Sequence, residues 1–416
     1  MKYFGTDGFR AIFDDKFLET AYKTGYALSS VYKSFLVARD TRESGELVAK
    51  AFISGAIKNG ATVSYAGILP TPALSVAVKN DFYEIGVIIT ASHNPKEYNG
   101  IKIFDGNGYK LSDNALKELE IKIDESPVGD YFYLPPTSET ALSTYLDSLK
   151  RIPKPKKPLK VLVDCSAGAT VRTAKIFEEF GLNTVYIGTS GTINENSGVF
   201  FVDNAVKIKK EVGADLAFVF DGDGDRVICI DENNEILNGD AILYILTKYL
   251  IKQGGLKKKT VVGTVYSSVA LERSLNVLGV TLVRTSVGDK YVSDTMKKFS
   301  YPLGAESSGH VIFNVTTGDG VRTALILCYL ASVVPLKERK TGFMHGIVKE
   351  LTYPFGEESY KKLKNYAENY KSTFGKNGRM LVRKSGTEPI IRVLLESDDE
   401  SIIAKIESDL PAMQDG

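Results

Sequence analysis

Asp221, Asp223 and Asp225 alternate with Gly222 and Gly224, and Arg226 follows directly. A turn this tight can aim three carboxylates at one point, where they repel one another unless a divalent cation lies between them. Oxygen ligands without Cys or His favour Mg²⁺ or Ca²⁺ over zinc. The spacing partly fits a calcium-binding EF-hand, with Glu232 at the twelfth position of the loop. That reading fails because Arg226 holds the sixth position, where glycine is needed, and because strands rather than helices flank the turn. Two alternatives stay open on these residues alone. One is a solvated surface turn, which Arg226 and the apolar strand Leu216 to Phe220 oppose. The other is an aspartate-nucleophile phosphatase, whose Asp-x-Asp pair also follows a strand.

A second loop argues against the phosphatase. The apolar run Ile85 to Ile89 leads through Thr90 into Ala91-Ser92-His93-Asn94-Pro95. A serine held at a strand end can carry a phosphoryl group whose oxygens complete a magnesium shell, and the phosphatase has no use for such a serine. Lys102 lies close enough in sequence to return to the same place as a proton acceptor or charge stabiliser. Tyr301 to Leu303 leads into a third polar loop, Gly304-Ala305-Glu306-Ser307-Ser308-Gly309-His310. A fourth, Arg383-Lys384-Ser385-Gly386-Thr387-Glu388-Pro389 with Arg392 just beyond, combines guanidinium forks, hydroxyls and a glycine turn, the groups that bind a phosphate dianion.

The elements around these loops repeat. Phe35 to Ala38, Val161 to Val163 and Val261-Val262 each read as a short buried strand, followed by a helical pattern. Gly60, Gly181 or Gly279 then leads into a second strand. Strand, helix and glycine-led strand make a βαβ unit with a right-handed crossover and a parallel sheet. Ligands gather at the carboxyl ends of such strands, so the first three loops are expected to meet in one cleft. The proline-rich Arg151 to Pro158 and the glycine–lysine segment Lys252 to Lys259 read as linkers, with a further boundary near Lys337 to Gly342. The expected domains are residues 1–150, 151–253, 254–340 and 341–416.

With 416 residues, 43% hydrophobic and 25% charged, the chain has the composition of a soluble globular protein of about three domains. Lys plus Arg number 52 against 51 for Asp plus Glu, so nucleic-acid binding driven by bulk charge is not expected. The three cysteines lie far apart and form no CxxC pair, which argues against a disulfide scaffold or a zinc ribbon. The start has no apolar signal-peptide core, and the most apolar stretch, Ala324 to Leu336, is too short for a bilayer. A soluble, cytoplasmic protein without a membrane or nucleic-acid partner is expected.

In order and spacing, Thr90-Ala91-Ser92-His93-Asn94-Pro95, Asp221 to Arg226, Glu306-x-Ser308-Gly309-His310 and Arg383-x-Ser385-Gly386-Thr387-Glu388-Pro389 together resemble the α-D-phosphohexomutases over essentially the whole chain. Tyr3 to Arg10, Val287 to Val292 and Thr316 to Gly320 are similar to the bacterial phosphoglucosamine mutase branch of that family. The resemblance implies three related α/β domains with mixed sheets plus a smaller C-terminal α+β domain around a central cleft. It implies that Ser92 is the phosphorylated nucleophile and joins Asp221, Asp223 and Asp225 in holding Mg²⁺. Arg10, Lys102, Arg226 and His93 would assist at the same centre. Glu306, Ser308 and His310 would hold sugar hydroxyls, and Arg383, Ser385, Gly386, Thr387 and Arg392 the substrate's distal phosphate. The implied reaction interconverts glucosamine 6-phosphate and glucosamine 1-phosphate through glucosamine 1,6-bisphosphate or a related sugar bisphosphate. A phosphomannomutase/phosphoglucomutase of the same family is the alternative, and a monomer or homodimer the expected assembly. Turnover of the bisphosphate would need the last domain to hinge near Lys337 to Gly342. The chain departs from the family pattern at Tyr266-Ser267-Ser268, at Gly198 to Val202, at Ala305 and at Lys384, positions that bear on the choice of sugar.

Overall fold

Ile85-Gly86-Val87-Ile88-Ile89 and Leu216-Ala217-Phe218-Val219-Phe220 are continuous apolar runs, and both are fully buried strands. Runs of this kind belong in the middle of a sheet covered on both faces. The computed structural model describes residues 2–5, 7–131, 133–385 and 389–410. The first sheet contains β1 (Phe4–Gly5), β2 (Gly8–Ile12), β3 (Ser34–Arg39), β4 (Thr62–Ile68), β5 (Ile85–Ile89) and β6 (Tyr98–Asp105), in the order β1-β2-β6-β5-β3-β4. The second contains β7 (Lys160–Asp164), β8 (Asn183–Ile187), β9 (Leu216–Phe220), β10 (Val227–Ile230) and β11 (Ile236–Leu237), in the order β11-β10-β9-β7-β8. The third contains β12 (Thr260–Thr264), β13 (Thr281–Thr285), β14 (Leu303–Ala305) and β15 (Val311–Phe313), in the order β13-β12-β14-β15.

One arrangement recurs in all three sheets. The glycine-led strand lies beside the first strand, the third strand pairs parallel with the first on its other side, and a fourth strand returns antiparallel to the third. The sheets are therefore mixed. The return strands β6, β10 and β15 are what turn each third strand's end into a tight loop. Those loops are the Ser92, Asp221–Arg226 and Glu306–His310 segments.

The chain packs as two compact units. Met1–Val265 forms one with Val283–Lys340, and Tyr266–Leu282 joins the C-terminal residues from Thr341 in the other. The second unit holds the sheet β16 (Ile347–Pro354), β17 (Arg379–Lys384) and β18 (Ile390–Ser397), in the order β16-β18-β17. Leu363, Phe374, Ile403 and Ile406 form its core with the inner faces of β17 and β18. The helix Val269–Val277 belongs to this unit. Arg273 pairs with Asp398 (3.1 Å), and the Met344 N–H donates to Ser274 Oγ (2.7 Å). Cys165, Cys229 and Cys328 are free and buried. Among the described residues no helix is long and apolar enough to cross a membrane.

The helices Asp15–Ser29 and Gly45–Lys58 make the tightest crossing in the first unit. A Cβ on Gly25 would sit 2.0 Å from the Phe52 carbonyl oxygen, and one on Gly55 would sit 2.0 Å from that of Tyr22. The two backbones approach until only hydrogen fits between them, and this fixes how the helix layer lies on β3. Glycine inside a helix normally costs about 1 kcal/mol relative to alanine. Here the substitution is expected to run the other way: Gly25→Ala or Gly55→Ala should destabilise the first unit by about 1–3 kcal/mol through forced separation of the helices. The shift of the urea midpoint at constant slope measures this, and a midpoint at or above the parent's contradicts it.

Candidate active site

Gly222 and Gly224 are what allow the acidic turn its shape. A Cβ on Gly222 would lie 2.6 Å from the Ser92 carbonyl oxygen, and Gly224 has φ +71° with Thr170 packed against it. The turn therefore presses directly on the Ser92 loop. Ser92 Oγ donates to Asp221 Oδ2 at 2.7 Å, and the other Asp221 oxygen accepts from the Arg226 backbone N–H at 3.1 Å. Two loops separated by more than a hundred residues thus share one buried point.

All three aspartates are essentially inaccessible to solvent, and their ligand oxygens lie within 4.8 Å of one another. Burial, then Asp225 and Asp223, push the Asp221 pKa well above the usual carboxylate range. Burial would raise Asp225 as well, but Lys102 above all holds it well below that range. Lys102, on β6, reaches Asp223 Oδ2 at 2.8 Å and Asp225 Oδ2 at 3.0 Å. Burial works against its charge, yet Asp223, Asp225 and Asp7 outweigh that and hold its pKa well above the usual lysine range. Lys102 occupies only one oxygen of each carboxylate. Asp223 Oδ1 and Asp225 Oδ1 are buried without a hydrogen bond among the described residues. Two orphaned carboxylate oxygens beside Asp221 fit a hard divalent cation. A second cluster, Asp225, Asp289 and His310, also converges. Its donors are already engaged, however. Lys110 binds Asp289, and the Gly318 N–H donates to His310 Nε2 at 2.8 Å.

The other residues named from sequence fall as follows. His93 Nδ1 lies 3.2 Å from Ser92 Oγ, and burial with the Arg226 and Arg10 cations pushes its pKa down to about 2, so the ring is neutral. The Arg10 guanidinium donates to Asn94 Oδ1 (2.8 Å) and pairs with Asp7. The Arg226 guanidinium stands 3.9 Å from both Asp221 and Asp225. Glu306 is buried, accepts from the Gly288 N–H at 3.1 Å and has its pKa raised by burial. Ser308 is half-buried in the same turn. The last residue of that loop named from sequence is His310. It is buried, with Nε2 accepting from Gly318 and Nδ1 facing Asp225 Oδ1 at 3.5 Å. Burial opposes an imidazolium there and Asp225 and Asp289 favour one; the backbone donor on Nε2 decides for the neutral ring.

In the second unit, Arg383 and Arg392 sit directly opposite each other on β17 and β18. Arg383 Nε donates to Tyr266 Oη at 2.8 Å, Arg392 pairs with Glu350 at 2.7 Å, and the Ser385 N–H donates to the Ile390 carbonyl. Gly386 and Thr387 lie outside the described residues.

Sequence reasoning missed several participants. Asp7 binds Arg10 and Lys110, and Lys110 links it to Asp289, which opens the helix Asp289–Phe299. No spacing rule joins residues so far apart. Asp40, Arg42 and Asn194, which hold the Ser92 loop from behind, were missed as well. The Gly198 to Val202 segment, noted as a departure, brings Phe200 edge-on to His93 with ring centres 5.4 Å apart. It lines a cavity of about 460 Å³ beside the Ser92 loop.

If a divalent cation seats among the three aspartates, it should stabilise the fold by about 2.7 kcal/mol at a concentration a hundredfold above its dissociation constant. Asp221→Asn removes one repelling charge, so it should be at least as stable as the metal-free parent yet gain nothing from added Mg²⁺. Thermal unfolding with and without Mg²⁺ checks both halves. A variant that still responds to Mg²⁺ like the parent removes Asp221 from the ligand set.

Models of the four domains of the phosphoglucomutase/phosphomannomutase family match this chain. Domain I matches residues 1–127, domain II 143–235, domain III 238–345 and the C-terminal domain 347–411. A phosphoglucosamine mutase of Clostridium kluyveri is 37% identical over 98% of this chain and 98% of its own length. One of Geobacillus thermodenitrificans is 37% identical over 96% and 95%. Among solved structures, a phosphoglucomutase/phosphomannomutase family protein from Burkholderia thailandensis superposes with a TM-score of 0.81 at 21% identity, covering 97% of this chain and 95% of that one. Aspergillus fumigatus N-acetylphosphoglucosamine mutase in complex with GlcNAc-6P and magnesium superposes at 0.67 and 18% identity, over 98% and 94%. With four domain matches in sequence order and relatives alike from end to end, this chain belongs to the phosphoglucomutase/phosphomannomutase family.

Proposed function

We propose that this protein is a phosphoglucosamine mutase of the cytoplasm, interconverting glucosamine 6-phosphate and glucosamine 1-phosphate through phosphoserine 92 and a sugar bisphosphate. The observation that carries the reading is the 2.7 Å contact between Ser92 Oγ and Asp221 inside a buried acidic turn with orphaned oxygens. The amino-sugar preference rests on the relatives' names, and phosphoglucomutase/phosphomannomutase activity is the second reading.

Phosphoryl transfer asks little covalent chemistry of a protein and much positioning and charge. Asp221, Asp223 and Asp225 would hold Mg²⁺, with a phosphoryl oxygen on Ser92 completing its shell, and the ion would neutralise charge on the transferring group. In the first half-reaction a substrate hydroxyl attacks the phosphorus of phosphoserine 92. The bond to Oγ breaks, and the sugar leaves that step as a bisphosphate. In the second, Oγ takes back the other phosphoryl group.

Arg10, Arg226 and Lys102 line this point as cations. Lys102 acts as a fixed positive charge, because its carboxylate partners keep it protonated. Arg10 likewise stays a cation, and the proton lost by the attacking hydroxyl ends on Ser92 Oγ, which leaves as the serine hydroxyl. His93 is neutral and faces Oγ; because the serine's one proton is given to Asp221, the ring orients the hydroxyl by donating Nδ1–H to Oγ, without storing a proton. Glu306 and Ser308 are the groups of the third loop proposed to meet sugar hydroxyls, with His310 bracing that loop from within. Arg383, Ser385 and Arg392, with Gly386 and Thr387, form the proposed station for the phosphate that is not reacting.

Ser92→Ala should lower turnover on the order of 10³-fold or more, since it removes the group that carries the phosphoryl intermediate. The decisive assay measures turnover of glucosamine, glucose and mannose phosphates with Mg²⁺ and catalytic sugar 1,6-bisphosphate, alongside mass spectrometry of the resting enzyme. Phosphate on Ser92 with a preference for the glucosamine substrate is expected. Phosphate on an aspartate would end the reading, and a preference for glucose or mannose phosphates would move the protein to the second one.

A further inference from the structure

Ser92 has φ +53°, in the left-handed region that a residue with a side chain rarely occupies. Such a conformation persists only where its surroundings over-determine it. What surrounds Ser92 is a closed ring of hydrogen bonds. Its N–H donates to Thr90 Oγ1 at 2.8 Å, and Thr90 Oγ1 donates to Asp40 Oδ2 at 2.7 Å. That same oxygen accepts from Arg42 Nε at 3.0 Å, and Arg42 Nη2 returns to the Ser92 carbonyl at 2.9 Å. Both peptide groups of the serine therefore end on one ion pair, whose side chains are wholly shielded from solvent.

The Arg42 fork extends the hold to the rest of the turn, donating to the carbonyls of Asn94, Pro95 and Tyr98. From the opposite side, Asn194 Nδ2 donates to the carbonyls of Ser92 (2.9 Å) and Asn94 (3.1 Å). Asn194 is itself fixed by Ser166 Oγ, which donates to its side-chain oxygen at 2.8 Å. A buried guanidinium has five N–H groups and no acceptor, so its rigid fork can tie down several carbonyls at once, which a lysine cannot do.

We infer that Asp40, Arg42, Thr90 and Asn194 are positioning residues that lock the Ser92 backbone in its left-handed turn and so aim Oγ at the acidic loop. None of them faces the reacting atoms. Their action is through the serine's peptide groups: were the turn to relax into the right-handed region, the side chain would swing away from Asp221. Because Asn194 belongs to the second sheet's loops and Arg42 to the first's, the lock is complete only when both are seated. The inference rests on the reading of Ser92 as the phosphoryl carrier.

The test compares steady-state kinetics of the full-length enzyme with Thr90→Val, Thr90→Ser, Arg42→Lys and Asn194→Ala, together with mass spectrometry of the parent. A displacement of the nucleophile of about 1 Å predicts a kcat loss of about 100-fold for Thr90→Val and Arg42→Lys, with KM within about twofold. Thr90→Ser keeps the hydroxyl while losing the methyl, and it should retain kcat within about threefold. A merely structural role would not split kcat from KM in this way. Arg42→Lys can fail to fold; Thr90→Val, being isosteric, then carries the test with Asn194→Ala. Parental kcat in Thr90→Val and Asn194→Ala, or equal damage in Thr90→Ser and Thr90→Val, overturns the lock while phosphate on parental Ser92 keeps the nucleophile reading intact. An active parent that never carries phosphate on Ser92 overturns both.

Discussion

Crowded negative charge is the constraint around which the first unit is built. Three carboxylates in one buried turn cannot all ionise unless cations answer them. The chain answers from one side with Lys102, which bonds to Asp223 and Asp225, and from another with Arg226, whose backbone N–H also takes an oxygen of Asp221. Among the described residues this compensation leaves Asp223 Oδ1 and Asp225 Oδ1 without a hydrogen bond. Those oxygens are the groups that would take a divalent ion under the proposed function. Burying charges short of full pairing is costly. The rest of the unit must therefore be rigid enough to hold the arrangement, and the buried strands β5 and β9 that deliver the two loops supply that rigidity.

Repetition of one sheet topology explains why chemistry from distant sequence positions meets. In each of the first three sheets the third strand runs parallel to the first and then reverses into an antiparallel neighbour. A reversal at the carboxyl end of a central strand puts a short loop where side chains project clear of the sheet. The Ser92 and Asp221 loops abut so closely that a methyl group at Gly222 would strike the serine's carbonyl. The Glu306 loop reaches the same place through the bridge between Arg226 and His310.

How much of this was readable beforehand differs by the kind of interaction. The strands, the glycine that leads into each second strand, and the polar loops declare themselves locally, through apolar runs and turn residues, and the three-domain pattern followed from them. The antiparallel return strands did not emerge from periodicity, since Val227 to Ile230 and Val311 to Phe313 are too short to announce a direction. The ion network Arg10–Asp7–Lys110–Asp289 was invisible because charges in a one-letter string carry no partner. Arg42 belongs to no motif in the sequence, yet it is buried, with its donor groups directed at the Ser92 turn, the start of β6 and Asp40. His310 was named through the family resemblance alone; its place between Gly318 and Asp225 depends on packing that sequence does not express.

The second unit poses the same electrostatic problem with opposite sign. Arg383 and Arg392 face each other across β17 and β18, a placement that disfavours the strand pair by like-charge repulsion. Arg392 is answered by Glu350 at 2.7 Å. Arg383 is answered differently, by Tyr266, whose hydroxyl accepts from Nε while the guanidinium lies 4.7 Å from the ring centre. A tyrosine steadies the cation without cancelling its charge. Tyr266 is one of the positions where this chain departs from its family's pattern, so the departure falls on a residue that supports the proposed phosphate station. An anion seated at that hairpin would relieve the repulsion between the two arginines as well as gain their hydrogen bonds. Binding there and stability of the β17–β18 pair would therefore be coupled through the same two side chains.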